Sequence, residues 1–188
     1  MPRANPRATK ALDLDGVDRF TLPVRDLARA ELFYTHVLGG DVVARGITEM
    51  SQVDHPAVRV RICEGVDVVL VRQYYGWNPV DSTNPHWGFA IPGAEVDAWV
   101  EHLKEWEVPH ALLFREADQE AMGVPTRVEL HFLDPDGNQL ELVAWDYPMN
   151  DRAWMGQYDP WTLVYSPRTW PPASASHLLE SQRARARD

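Results

Sequence analysis

One order of elements occurs twice along this chain, and that repetition constrains the fold more than any other feature. The first copy opens on a strand-like run, Arg19-Phe-Thr-Leu-Pro-Val24. Asp26 then stands at a helix N-cap position. Leu27, Ala30, Phe33, Tyr34, Val37 and Leu38 follow at helical spacing, which predicts a helix over 27–38. Gly39 or Gly40 supplies its stop. Three strand-like runs come next, over 41–45, 57–63 and 66–73, with a Glu64-Gly65 turn joining the last two. The second copy has a strand over 86–91 and a helix striped by Val96, Trp99, Val100, Leu103 and Trp106. Strands over 110–115, 126–133 and 139–145 complete it. Each copy therefore reads β-α-β-β-β. One such unit cannot bury the apolar face of its own sheet, whereas two packed together can. The expectation is an α+β domain: two βαβββ modules, about 17–75 and 84–146, pairing into a curved mixed sheet around a cleft.

Composition narrows what such a domain can do. A formal net charge of −10 opposes non-specific nucleic-acid binding, which needs a basic face. The single cysteine, Cys63, excludes an intramolecular disulfide and a Cys-rich zinc cluster. Its place in a strand-like run reads as packed rather than reactive. The basic residues Arg3, Arg7 and Lys10 have no apolar run behind them, so the start does not read as a secretory signal. No stretch approaches the roughly 20 apolar residues of a membrane span. The expected setting is cytoplasmic, with a small molecule as partner, no nucleic acid, no membrane, and a homodimer left open. Residues 1–15 read as a disordered lead-in and 174–188 as a mobile tail.

The strongest local signal is His131-Phe-Leu-Asp-Pro-Asp-Gly-Asn-Gln-Leu-Glu-Leu142. Pro135 presets φ and Gly137 permits positive φ, so Asp134–Asn138 is a turn and its flanks form a hairpin. Strand side chains alternate faces, so Glu141 lies opposite Leu140 and Leu142. It faces either water or a cavity.

The run Leu22-Pro-Val-Arg-Asp-Leu-Ala-Arg-Ala-Glu-Leu-Phe-Tyr-Thr-His-Val-Leu-Gly39 resembles the opening of the vicinal-oxygen-chelate superfamily. That superfamily includes glyoxalases, extradiol dioxygenases, fosfomycin-resistance enzymes and bleomycin-binding proteins. Asp134-Pro-Asp-Gly-Asn-Gln-Leu-Glu141 is similar to its closing signature, and the resemblance covers about 16–146. It implies one divalent metal (Fe, Mn, Ni or Zn) held between the sheets, with ligands on the first and last strands of each module. His86 and Glu141 stand at two of those positions. The first module departs from the pattern: Arg19 and about Val69 stand at the other two. Guanidinium offers no lone pair to a metal, and valine none at all.

His131 is the candidate that repairs the set. Near Glu141 across the hairpin, it makes with His86 and Glu141 a two-histidine, one-carboxylate group of the kind that binds non-haem iron. It is a candidate ligand or acid/base, and the competing reading is a histidine filling an aromatic's place. Three roles stand open for Arg19: a salt bridge to Glu141, a fork for a substrate carboxylate or phenolate, or an outward position with Asp18 or Thr21 turned inward. Tyr74, Tyr75, Trp77 and Trp87 are candidates for a flat aromatic pocket at the module junction. His36 and His102 read as solvated helix residues, and His55 as a loop residue before Pro56. Gln73 reads as a solvated strand end.

Residues 147–173 add an arm rich in aromatics and proline, including Trp154, Tyr158, Trp161, Tyr165 and Trp170. So many aromatics must pack somewhere: on the domain's own sheets, on a second subunit, or as a lid over the cleft. The functional expectation is a metal-dependent enzyme, dioxygenase-like or glyoxalase-like (lyase or isomerase), acting on a small oxygenated, aromatic metabolite. The alternatives are a metal-free binding protein sequestering an aromatic drug or metabolite, and a metal-free tailoring enzyme.

Overall fold

A computed structural model of the protein describes residues 17–50, 53–72, 86–115, 127–147 and 170–185. Strand β1 (Arg19–Val24), helix α1 (Leu27–Leu32), and strands β2 (Asp41–Met50), β3 (Val53–Cys63) and β4 (Val66–Arg72) make the first module. Strand β5 (His86–Ala90), helix α2 (Val96–Glu105), and strands β6 (His110–Arg115), β7 (Arg127–Leu133) and β8 (Gln139–Ala144) make the second. Helix α3 (Ser176–Arg185) follows. The sheets have the orders β1-β4-β3-β2 and β5-β8-β7-β6. In each, the first strand runs parallel to the last and the other neighbours are antiparallel. The repeat seen in the sequence is therefore the repeat of the fold, as two open four-stranded sheets.

Local chemistry accounts for the elements. Asp26 is extended and its carboxylate accepts from Arg29 N at 3.1 Å, capping α1. The helix does not stay regular to residue 38. Over Phe33–Val37 it widens, with Leu38 N donating five residues back to Phe33 O. The Thr35 hydroxyl donates to Glu31 O at 2.8 Å and so competes for a carbonyl of the regular ladder. Gly39, at φ 70°, then turns the chain out.

One apolar core serves both modules. Val60, Val68 and Leu70 of the first sheet, Leu130, Phe132 and Leu140 of the second, and Leu32, Phe33 and Val37 around α1 are all fully buried in it. Phe20 of β1 packs on Trp87 of β5 with ring centroids 4.2 Å apart, and Phe33 lies 6.4 Å from Phe132. Each large side chain so buried contributes on the order of 1.5–3 kcal/mol. Neither module could fill this volume alone.

Several expectations need correction. The β2–β3 hairpin is longer than 41–45 and 57–63. His55 is in β3, not a loop, and its Nδ1 donates to Arg72 O at 2.9 Å. Cys63 ends β3 exposed rather than packed. His102 is half-buried, with Nε2 3.0 Å from Val37 O. Most of the presumed mobile tail is α3. It docks through Leu179 and through Gln182, whose amide donates to the buried carboxylate of Glu31, also held by Arg45. Arg183 reaches Asp26 at the start of α1. This docking joins the adjacent Leu178 and Leu179 to polar contacts, so the apolar periodicity that marks most helices is missing from the sequence. Trp170 is buried, donating Nε1 to Trp106 O at 3.2 Å, with its ring 5.2 Å from that of Phe33. The lead-in, Gln73, Tyr74, Tyr75, Trp77 and the arm over 148–169 lie outside the described residues. Among the described residues no helix is long and apolar enough to cross a membrane.

Candidate functional site

The β7–β8 turn is the anchor of the site. Asp134 N donates to Asn138 O at 2.9 Å, Gly137 N donates to Asp134 O at 3.0 Å, and Gly137 takes φ 89°. The Asp134 carboxylate accepts from Asp136 N, Asn138 N and the Asn138 amide, and from Tyr34 Oη at 3.0 Å. Burial pushes the Asp134 carboxyl up to about 6, despite the Asn138 donors that favour its ionised form. Arg25 N and the Arg29 guanidinium reach Asp136, and Arg29 also donates to Pro135 O. The turn is thus fastened to the start and the end of the first module's helix.

Alternation along the strands then sorts the side chains. On β7, Leu130 and Phe132 enter the core and Val128 a smaller apolar cluster with Val96 and Ala144, which leaves Arg127, Glu129 and His131 on the other face. On β8, Leu140 and Leu142 enter it and Gln139 and Glu141 do not. On β5, Trp87 and Phe89 pack inward while His86 and Gly88 face out with Glu141. The ladder sets His131 directly opposite Glu141, and Gly88 on its other side.

Four polar side chains converge there. His86 Nε2 is 2.9 Å from Glu141 Oε1, and Glu141 Oε2 is 3.8 Å from His131 Nε2. His131 Nε2 is 3.0 Å from Glu129 Oε2, whose other oxygen accepts from Arg127 Nε at 2.6 Å. Glu129, His131 and Glu141 are buried, while the side chain of His86 is 52% exposed at the rim. Gln139 Nε2 stands 3.4 Å from His131 Nδ1. A Cβ at Gly88 would stand 3.7 Å from the carboxyl carbon of Glu141, in ordinary contact with it.

The residues singled out in the sequence divide into two groups. His131 and Glu141 fall with Glu129 in one cluster of donor atoms, and His86 adjoins it through Glu141 Oε1. Arg19 does not join them. It is exposed on β1 with NH1 2.7 Å from Asp18, and the Glu141 carboxylate meets the two histidines instead. Thr21 is exposed beside Val69. Trp87 faces the core against Phe20, on the opposite side of β5 from His86, so it does not line the site. Tyr74 lies outside the described residues. Sequence reasoning missed Glu129, although the alternation Arg127-Val-Glu129-Leu-His131 already put it on the face of His131.

The first module's face is chemically different. Arg19 pairs with Asp67 in register as His86 pairs with Gln139, and Thr21 with Val69 as Gly88 with Glu141. Arg19 and Val69 are thus the positional equivalents of His86 and Glu141. Its carboxylate, Asp67, is buried and bound by Arg61 and Arg59, which hold it below the usual range.

A divalent metal fits the second module's face. At about 2.1 Å from the ion, adjacent ligands in tetrahedral or octahedral geometry stand about 3.0–3.4 Å apart. The His131–Glu129 and His131–Glu141 separations of 3.0 and 3.8 Å bracket that range, and donor atoms of Glu129, His131 and Glu141 all lie within 4.8 Å of one another, a group that His86 adjoins through Glu141 Oε1 but does not join. Imidazole with carboxylate is a donor set for Mn, Fe or Zn.

The sequence model of the Glyoxalase/Bleomycin resistance protein/Dioxygenase superfamily matches residues 16–142. Among solved structures, the chain is similar to a glyoxylase/bleomycin resistance protein/dioxygenase domain from Frankia sp. EAN1pec. Identity is 24% and the TM-score 0.57, over 71% of this chain and 93% of that one. It is also similar to a variant of the fosfomycin resistance protein FosX from Listeria monocytogenes, complexed with Mn(II) and dihydroxypropylphosphonic acid. There identity is 21% and the TM-score 0.52, over 70% of this chain and 94% of that one. An integron cassette protein from the mobile metagenome of Halifax Harbour Sewage Outfall matches at 22% identity and TM-score 0.51, over 70% of this chain and 99% of that one.

Proposed function

This chain belongs to the Glyoxalase/Bleomycin resistance protein/Dioxygenase superfamily, and we propose that within it the protein is a metal-dependent enzyme acting on a small, oxygen-rich molecule. One observation carries the reading: the Glu141 carboxylate has the His86 ring at one oxygen and the His131 ring at the other, the three residues standing on three strands of one sheet. His86 and Glu141 are the ligands and His131 the third donor. A bound divalent ion would polarise two adjacent oxygens of the substrate as a Lewis acid. The protein's own part is positioning. The β7–β8 ladder fixes Glu141 opposite His131, and Gln139 orients the His131 ring through Nδ1. An amide can present a donor or, rotated, an acceptor, so Gln139 suits either imidazole tautomer. His86, half-exposed, is the member of the site that a substrate can reach from solvent. A glyoxalase-like isomerase or lyase and a ring-opening dioxygenase both fit, and oxygen consumption during turnover separates them. The FosX relative's complex with Mn(II) makes manganese the first ion to test. Arg19, held by Asp18 on the other module, has no part in this proposal.

The test is metal analysis of protein purified without chelators, followed by Mn(II), Fe(II), Ni(II) and Zn(II) add-back. Near-stoichiometric metal is expected. Protein that carries none and gains none would sink the proposal. A metal-free binding protein is the second reading, favoured by the closure of the same groups on one another at 2.9 and 3.0 Å. Under that reading, tryptophan-fluorescence titration with planar aromatic compounds shows binding that EDTA leaves unchanged.

A further inference from the structure

The first module leaves half of a four-position site without a ligand, and β7 holds what the sequence lacks there. In the ladders, Arg59 faces Val69 as His131 faces Glu141, and Ala57 faces Val71 as Glu129 faces Val143. The four positions on the first sheet that correspond to His86, Glu141, His131 and Glu129 are therefore Arg19, Val69, Arg59 and Ala57. None of these can bind a metal. On the second sheet all four can.

We infer that Glu129 is a metal ligand, and that the centre is built wholly within the second module from His86, Glu129, His131 and Glu141. Three observations support this. Glu129 Oε2 stands 3.0 Å from His131 Nε2, the separation expected between adjacent ligands on one ion. The carboxylate is aimed rather than free, since Arg127 Nε holds Oε1 at 2.6 Å and so turns Oε2 toward His131. That is the part an outer partner of a metal-bound carboxylate plays. Glu129 is also buried, on the same face as its two neighbours and within 4.8 Å of their donor atoms. A second carboxylate makes the donor set two imidazoles and two carboxylates. That set is harder than a two-histidine, one-carboxylate group and favours Mn(II) or Fe(II) over Zn(II).

This inference rests on the proposed metal dependence, and the experiment separates the two. Free Mn(II) is followed by its electron paramagnetic resonance signal during titration of the full-length protein, of Glu129→Gln, of Glu129→Asp and of Glu141→Gln. Thermal unfolding of each variant accompanies the titration. The wild type should bind a single Mn(II) per chain. Glu129→Gln and Glu129→Asp should each weaken binding by roughly 10-fold or more, the former by loss of the anionic oxygens and the latter by withdrawing them along the side chain. Glu141→Gln should remove binding. Glu129→Gln binding as tightly as the wild type would overturn the inference while leaving the three-residue reading intact. Weak binding by Glu129→Gln but full affinity in Glu129→Asp would also overturn it, because charge near the site would then suffice. A wild type that takes up no Mn(II), Fe(II) or Zn(II) would bring down the metal reading and this inference with it. Should Glu129→Gln fail to fold, Glu129→Asp decides on its own.

Discussion

Tyr34 donates its hydroxyl hydrogen to Asp134 across 3.0 Å, joining the end of the first module's helix to the turn of the second module's last hairpin. Both groups are fully buried. The contact sets where the hairpin sits, and the hairpin carries His131 and Glu141.

Tyr34→Phe removes the donor and leaves a buried acceptor short of a partner. The expected cost is about 1–3 kcal/mol in urea unfolding. The side chain is otherwise unchanged in shape, so a variant as stable as the wild type would show that this bond is absent in solution.

Asp134 gives stability a particular pH dependence. Its carboxyl lies near 6 in the fold against 3.8 as the ordinary value, so the native state binds a proton more tightly than the unfolded chain does. Its contribution is present in full below about pH 4 and is lost as pH rises through about 6, on the order of 3 kcal/mol at most. Burial raises Asp136 too, with the same sign. Unfolding free energies of wild type and Asp134→Asn should therefore diverge with pH between about 4 and 6.5. Parallel curves would count against the buried carboxyl.

Backbone geometry does not require a glycine at position 88. An added Cβ meets only ordinary contacts, 3.4 Å to Val143 Cγ2 and 3.7 Å to the Glu141 carboxyl carbon. Gly88→Ala should keep or raise stability by about 0.5–1 kcal/mol, as expected for glycine in a strand interior. Gly88→Leu should fold and yet block ligand access to Glu141. Calorimetry and Mn(II) titration check the two variants together.

Gln182→Ala tests the docking of α3. Gln182 and Arg45 share the buried Glu31 carboxylate, and losing one donor should cost about 1–2 kcal/mol. Denaturant midpoints equal to those of the wild type would return residues 176–185 to the status of a loose tail.

His86→Ala and Glu141→Gln should each lower metal affinity more than roughly 10-fold, since even outer-shell partners of a metal carry that much. Their stability should change little for His86, exposed at the rim, and more for the buried Glu141.

The sequence by itself determined the architecture. Helical spacing over 27–38, strand alternation and the Asp134–Asn138 turn are local signals, set by backbone geometry and side-chain period, and they place most elements within a few residues. The family resemblance also put His86 and Glu141 at two ligand positions and left none at Arg19 or Val69. What tertiary structure decided was partnership. Whether Glu141 meets an arginine or a histidine depends on how two modules pack, and packing through Phe20, Trp87 and Phe89 leaves Arg19 with Asp18. Glu129 was readable as a face but not as a neighbour, because its distance to His131 depends on rotamers fixed by Arg127. Helix α3 left no apolar period to read, since only the adjacent Leu178 and Leu179 enter the core and polar contacts to residues some 150 positions away complete the docking. Period and propensity act over a few residues, whereas convergence of side chains from distant strands is settled only when the core closes.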